Sequence, residues 1–262
     1  MIRLGAVSYL NTRPLVAGLE AQTGRFHLRF DVPARCAALL HANEVDLGLI
    51  PSIEYPGHGY NIVPGISIAS DGPVASVALY TKLPTASIRS IALDTSSRTS
   101  QALLRVLCAH RFYIEPVLVP MVPDLPAMLR ECDAALVIGD NALFADHQGL
   151  GLRKIDLGKE WAAMTGLPFV YAFWAGRPGI VGPDDVLALQ QARDRGVVAT
   201  VTIGREMYPR DPARAARADR YLREEVKYGF GEREVAGLAR FYELAAEVGA
   251  LTPGDVARLT FY

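Results

Sequence analysis

Ile91-Ala92-Leu93-Asp94-Thr95-Ser96-Ser97-Arg98-Thr99-Ser100-Gln101-Ala102-Leu103-Leu104-Arg105-Val106-Leu107 reads as an apolar strand, a hydroxyl-rich turn and a helix in direct succession. That order leaves the first backbone N–H groups of the helix without intrahelical partners and aims them beyond the strand end, where an anion can use them. Five hydroxyls (Thr95, Ser96, Ser97, Thr99, Ser100) and the Arg98 guanidinium share the turn, more donors than one helix cap requires. Arg98 suits a bidentate carboxylate and equally a surface salt bridge.

The same unit recurs toward the N-terminus. Arg3 to Tyr9 is an apolar run that ends at Asn11-Thr12-Arg13-Pro14, with Asn11 placed to cap a helix that Pro14 can enter. His27 to Val32 predicts a strand, and Pro33 opens a helix to Asn43. Val45 to Pro51 predicts a buried strand whose end carries Ser52, Glu54 and Tyr55. Three successive βα units predict an α/β fold with a mostly parallel sheet flanked by helices. Ligands of such sheets gather past the carboxyl ends of the strands, where Ser8, Asn11 and Ser52 fall.

Farther on, Ile66 to Ser70 and Val74 to Tyr80 predict adjacent strands around Asp71-Gly72-Pro73, with Ser76 on one face. Thr81 to Ser87 is the expected crossover into a second lobe. That lobe contains the 91–107 unit, a strand at Ile114 to Val119, a helix from about Asp124 to Arg130, and a strand from Asp133 to Ile138. The last strand ends in Gly139-Asp140-Asn141, where Asp140 is placed either to orient a ligand hydroxyl or to cap a helix. Val170 to Ala175 is the expected return crossover, and helices fill the remainder, with Leu238, Phe241 and Tyr242 at core spacing. The expected division is discontinuous: residues 1–82 and 177–262 in the first lobe, 83–176 in the second.

The 262 residues, 50% of them hydrophobic, are enough for a large core, and a net charge of −1 gives no overall field for nucleic acid or an anionic membrane. Arg214, Arg217, Arg220 and Arg223 recur at helical spacing but are diluted by Asp219, Glu224 and Glu225, as on a solvated face. Cys36, Cys108 and Cys132 lie in apolar or helical runs without paired spacing and read as small buried hydrophobes. The chain enters a strand pattern at once, without the apolar core of a signal peptide, and a cytoplasmic location is expected. No nucleotide-binding glycine motif, hydrolase elbow or metal-ligand spacing among the five histidines is present. What remains is a cleft of hydroxyls, amides and arginines between two lobes, suited to an anion and compatible with a binder or an enzyme.

Several strings together carry a resemblance: GAVSYLNTRPL (Gly5 to Leu15), DLGLIPSIEY (Asp46 to Tyr55), SDGPVASV (Ser70 to Val77), SSRTS (Ser96 to Ser100), IGDNAL (Ile138 to Leu143) and EWAAMTGLPFV (Glu160 to Val170). In these the chain resembles, nearly end to end, the menaquinone-biosynthesis family that contains chorismate dehydratase. The resemblance implies a two-lobe periplasmic-binding-protein type II fold acting on chorismate in the futalosine route, with no metal or organic cofactor. It implies substrate contacts at Ser8, Asn11, Ser52, Ser76 and Ser97 to Ser100, Arg98 and Thr99 included. Asn11 and Ser76 are expected at the reacting centre, with Gly139 and Asp140 as further contacts. Oligomeric state is not legible.

Overall fold

The computed structural model describes residues 1–252, 254 and 258–262. Eleven strands are named in chain order: β1 (Ile2–Val7), β2 (Phe26–Asp31), β3 (Leu47–Pro51), β4 (Asn61–Ile62), β5 (Ile68–Ser70), β6 (Val77–Thr81), β7 (Ser90–Asp94), β8 (Val117–Met121), β9 (Ala134–Ile138), β10 (Arg153–Asp156) and β11 (Phe169–Gly176). Among the described residues nine α-helices accompany them: α1 (Pro33–His41), α2 (Arg98–Leu107), α3 (Leu125–Glu131), α4 (Gly139–Leu143), α5 (Leu157–Thr165), α6 (Pro183–Val198), α7 (Thr200–Met207), α8 (Pro212–Arg220) and α9 (Glu232–Glu247). Among the described residues no helix is long and apolar enough to cross a membrane.

The strands form two sheets, one in the order β2-β1-β3-β11-β4 with β5 also on β11, the other in the order β10-β6-β9-β7-β8. Their central strands are short apolar runs buried on both faces, as β3 (LGLIP) and β9 (AALVI) show, because helices cover them. The sheets are mixed rather than mostly parallel. β1 runs parallel to β2 and β3, and β7 to β8 and β9, as the βα repeats require. The exceptions include the two strands that carry the chain between lobes: β6 is antiparallel to β9, and β11 antiparallel to β3.

Those two strands also move the expected boundaries. β6 belongs to the second sheet and β11 to the first, so the crossings lie between Ser70 and Val77 and between Thr165 and Phe169, not near residues 82 and 177. β5 and β6 are therefore not neighbours. Asp71-Gly72-Pro73, which suits a hairpin turn, instead redirects the chain from one sheet to the other, with Gly72 at φ +114° and Ala75 at φ +51°.

Aromatic packing joins α5, β11 and α9. Trp161 of α5 meets Phe169 of β11 and Phe241 of α9 edge-on, at centroid distances of 5.2 and 6.1 Å. Leu238, Phe241 and Tyr242 are fully buried, as their spacing predicts, and all three cysteines are buried free thiols.

Candidate active site

The carboxyl ends of β1, β3 and β9, the amino end of β6 and the hydroxyl-rich turn after β7 face one cleft, which holds about 520 Å³ of empty space counting the part open to solvent. Its wall is mainly apolar, with Val7, Pro51, Ile68, Val74 and Ile138 among the lining, and its polar groups are hydroxyls and an amide: Tyr9, Asn11, Ser76, Ser97, Ser100 and Tyr171. Among the described residues no charged side chain lines it. Positive potential comes instead from helix starts. Pro33 at the start of α1, Ser97 and Ser100 at the start of α2, and Gly139 at the start of the short α4 all reach the wall. Aligned peptide dipoles favour negative charge at each, although at α1 and α4 the first N–H groups are taken, Ala34 N by Ser96 O and Gly139 N by Ser76 O.

Ser97 caps α2, its Oγ accepting from Ser100 N at 3.3 Å and donating to Ser100 Oγ at 2.9 Å. These two serines, three residues apart, share the helix face turned to the cleft. Arg98 and Thr99 fall on other faces, as a period of 3.6 residues dictates. Arg98 donates to Glu54 Oε1 at 2.8 Å, and the same carboxylate meets His41 Nε2 at 3.1 Å, so Arg98 braces the turn from outside. Thr99, expected as a substrate contact, is 1% exposed and accepts from Ile53 N at 3.2 Å. It ties α2 to the segment after β3. Thr99→Val should therefore leave the part-buried Ile53 N–H unpaired and cost about 1–3 kcal/mol in urea unfolding, with KM changed less than about twofold.

Ser52 and Ser8 likewise stand behind the wall. Ser52 is fully buried and donates to Val170 O at 2.8 Å, fastening β3 to β11 beside cleft-lining Pro51. Ser8 lies between Val7 and Tyr9, both of which line the cleft, so the alternation of extended chain turns it away, and its N–H donates to Asp31 O.

Asn11 does line the cleft, but not as a helix cap. The segment Leu10–Val16 is a 3-10 helix whose preceding residue, Tyr9, makes no side-chain cap. Its first N–H, that of Leu10, is held by Asp140 Oδ1 at 3.0 Å from the other lobe. Asp140 is thus a cap, though of the opposite lobe's helix rather than its own, and burial raises its carboxyl above the ordinary range while Leu10 N–H opposes the shift. Asn11 Oδ1 is buried without a partner. Gly139 also lines the cleft; at φ +62° it sits where a Cβ would meet the Tyr9 ring at 2.8 Å.

Ser76 is presented by a strained turn. Its N–H donates to Val74 O at 2.5 Å around Ala75, and the left-handed Ala75 is clamped by Asp156 Oδ2, which accepts from Val74 N at 2.9 Å and Ala75 N at 2.7 Å. Lys154 Nζ completes the clamp on Ala75 O at 2.6 Å. Ser76 Oγ accepts from Tyr221 OH at 2.7 Å. The cleft therefore brings together Asn11, Ser76, Ser97, Ser100 and Gly139, and sets Ser8, Ser52, Arg98, Thr99 and Asp140 around it.

Three tyrosines were not among the expected site residues. Tyr9 sits inside the first motif, Tyr171 inside a run that reads as a buried strand, and Tyr221 after an arginine-rich helix. A π-helical turn, Tyr221–Glu225, follows α8 and carries the Tyr221 phenol inward. Only Tyr9, at a strand end beside Asn11, carried a usable signal.

A model of the menaquinone biosynthesis family matches residues 2–247. The chorismate dehydratase of Thermus thermophilus is 32% identical over 212 residues, 74% of this chain and 77% of that protein. Among solved structures, a protein of Archaeoglobus fulgidus superposes with TM-score 0.75 at 20% identity, covering 95% of this chain and 98% of the other. The alkanesulfonate-binding protein SsuA of Xanthomonas axonopodis pv. citri does so with TM-score 0.69 at 16% identity, covering 97% and 95%. A Candida albicans protein described as having the generic periplasmic-binding-protein fold gives 0.64 at 12% identity, covering 96% and 91%. The two-lobe architecture is that of periplasmic binding proteins, and the chain belongs to the menaquinone biosynthesis family.

Proposed function

We propose that this protein is a cytoplasmic hydro-lyase that removes water from chorismate to give 3-[(1-carboxyvinyl)oxy]benzoate in the futalosine route. The observation that carries the reading is the cleft's chemistry: an apolar wall for a ring, uncharged donors at Asn11, Ser76, Ser97 and Ser100, and three converging helix starts for carboxylates. The similarity to a chorismate dehydratase supports the choice of substrate.

The C3 ether and C4 hydroxyl of chorismate are trans, so the C3 hydrogen shares a face with the leaving hydroxyl and dehydration is a syn elimination. A stepwise path suits this: C3 deprotonation, charge spread through the ring diene to the C1 carboxylate, then hydroxide loss driven by aromatisation. Donors fixed around the ring stabilise that charge without reorganising. The substrate's own enolpyruvyl carboxylate is the base in this account. Neither protein alternative, Glu54 nor Asp140, lines the cleft, and Glu54 is engaged by Arg98 and His41. Glu54→Gln should accordingly keep kcat within about threefold, whereas loss of a true general base costs about 10²–10⁴-fold. The test of the function is to mix the protein with chorismate and follow the cyclohexadiene absorbance. Its decay with appearance of an aromatic product is expected; binding without decay would make the protein a binder.

A further inference from the structure

A hydrogen-bonded chain of three side chains stands behind the cleft wall. Tyr9 lines the cleft from the first lobe, and its OH lies 3.0 Å from Ser96 Oγ of the second. Ser96 Oγ is in turn 2.6 Å from Oδ1 of Asp94, a carboxyl with no exposed surface whose other contacts are Ser96 N and, on Oδ2, Ile138 N. The three groups thus connect a buried acid to the cleft wall through two hydroxyls. Gly139, lacking a side chain, lets the Tyr9 ring lie flat enough to close the chain.

We infer that Asp94, Ser96 and Tyr9 form a relay that delivers a proton to the hydroxide leaving the substrate, an inference that rests on the dehydratase reading above. When the C4–O bond breaks, its electron pair departs with the oxygen. The Tyr9 O–H proton moves to that oxygen and forms water, Ser96 passes its proton to Tyr9, and Asp94 passes its own to Ser96. The proton removed from C3 balances the one Asp94 regains from solvent after release. Burial raises the Asp94 carboxyl above the ordinary range, against the lowering effect of the Ser96 and Ile138 hydrogen bonds, and so favours the protonated form, in which the Asp94 O–H donates to Ser96 Oγ instead of accepting from it. Burial also pushes the Tyr9 phenol up to about 12. That still lies well below the value of roughly 15.7 for water, so transfer to hydroxide runs downhill.

Tyr9→Phe keeps the ring against Gly139 and removes only the proton, and Ser96→Ala interrupts the chain behind it. With chorismate, Tyr9→Phe is expected to lower kcat by about 100-fold and Ser96→Ala by about tenfold, both with KM within about threefold. Slowed hydroxide loss also lets the carbanion return, so chorismate recovered from Tyr9→Phe reactions in D₂O should carry deuterium at C3, unlike that from the wild type. A Tyr9→Phe kcat within twofold of wild type would overturn the relay. So would a lowered kcat with no deuterium in recovered chorismate, because deprotonation would then be the slowed step. Wild-type protein inert toward chorismate would instead sink the dehydratase reading and the relay with it.

Discussion

Asn11→Ala is expected to lower kcat by about 10²–10³-fold, the size seen when one preorganised donor at a developing charge is removed. The same change should leave the unfolding free energy within about 1 kcal/mol of wild type. Asn11 lines the cleft at the start of a 3-10 segment, and its Oδ1 is buried without a hydrogen-bond partner. An unpaired buried amide oxygen is a cost to the fold, so truncation removes that cost. A residue retained at such a site is explained by what it does for a ligand. Absorbance kinetics and urea unfolding on one preparation measure both quantities. An unchanged kcat, or a loss of activity that follows a large loss of stability, would remove Asn11 from the reacting centre.

Gly196→Ala should have the largest effect on stability. Gly196, in α6, packs against the 3-10 segment so closely that a Cβ would penetrate the Pro14 carbonyl and Cα. Backbone cannot rotate aside as a side chain can, so the cost is expected at or above the roughly 3 kcal/mol upper end for overpacking. The segment displaced carries Asn11, so activity should fall in the fraction that still folds. Gly24→Ala, where a Cβ would meet nothing within 4 Å, is the control and should lie within about 0.5 kcal/mol of wild type by urea unfolding.

The βα units were legible because their signals are local. Val45 to Pro51 reads as a buried strand and is one, and the serines of the turn after Leu93 read as a helix start and are one. The sheet that a strand joins is decided by partners far along the chain, which is why Val77 to Thr81 and Phe169 to Gly176 were assigned to the wrong lobes. At the site, residue type was legible and direction was not. Thr99 and Ser100 are adjacent hydroxyls in one motif, yet helical rotation gives one to Ile53 and the other to the cleft. Asp140 spans lobes to cap Leu10, a role with no signature in spacing. Tyr221 reaches Ser76 from 145 residues away, through a turn whose π geometry no pattern in the arginine-rich segment announces.

The most direct test of the central claim is a crystal structure of the Asn11→Ala variant soaked with chorismate. The account predicts intact chorismate in the cleft between the two sheets, its ring against the apolar wall near Ser76. One carboxylate should lie within hydrogen-bonding distance of the Ser97–Ser100 helix start. An empty cleft at saturating chorismate, or chorismate bound anywhere else on the protein, would contradict it.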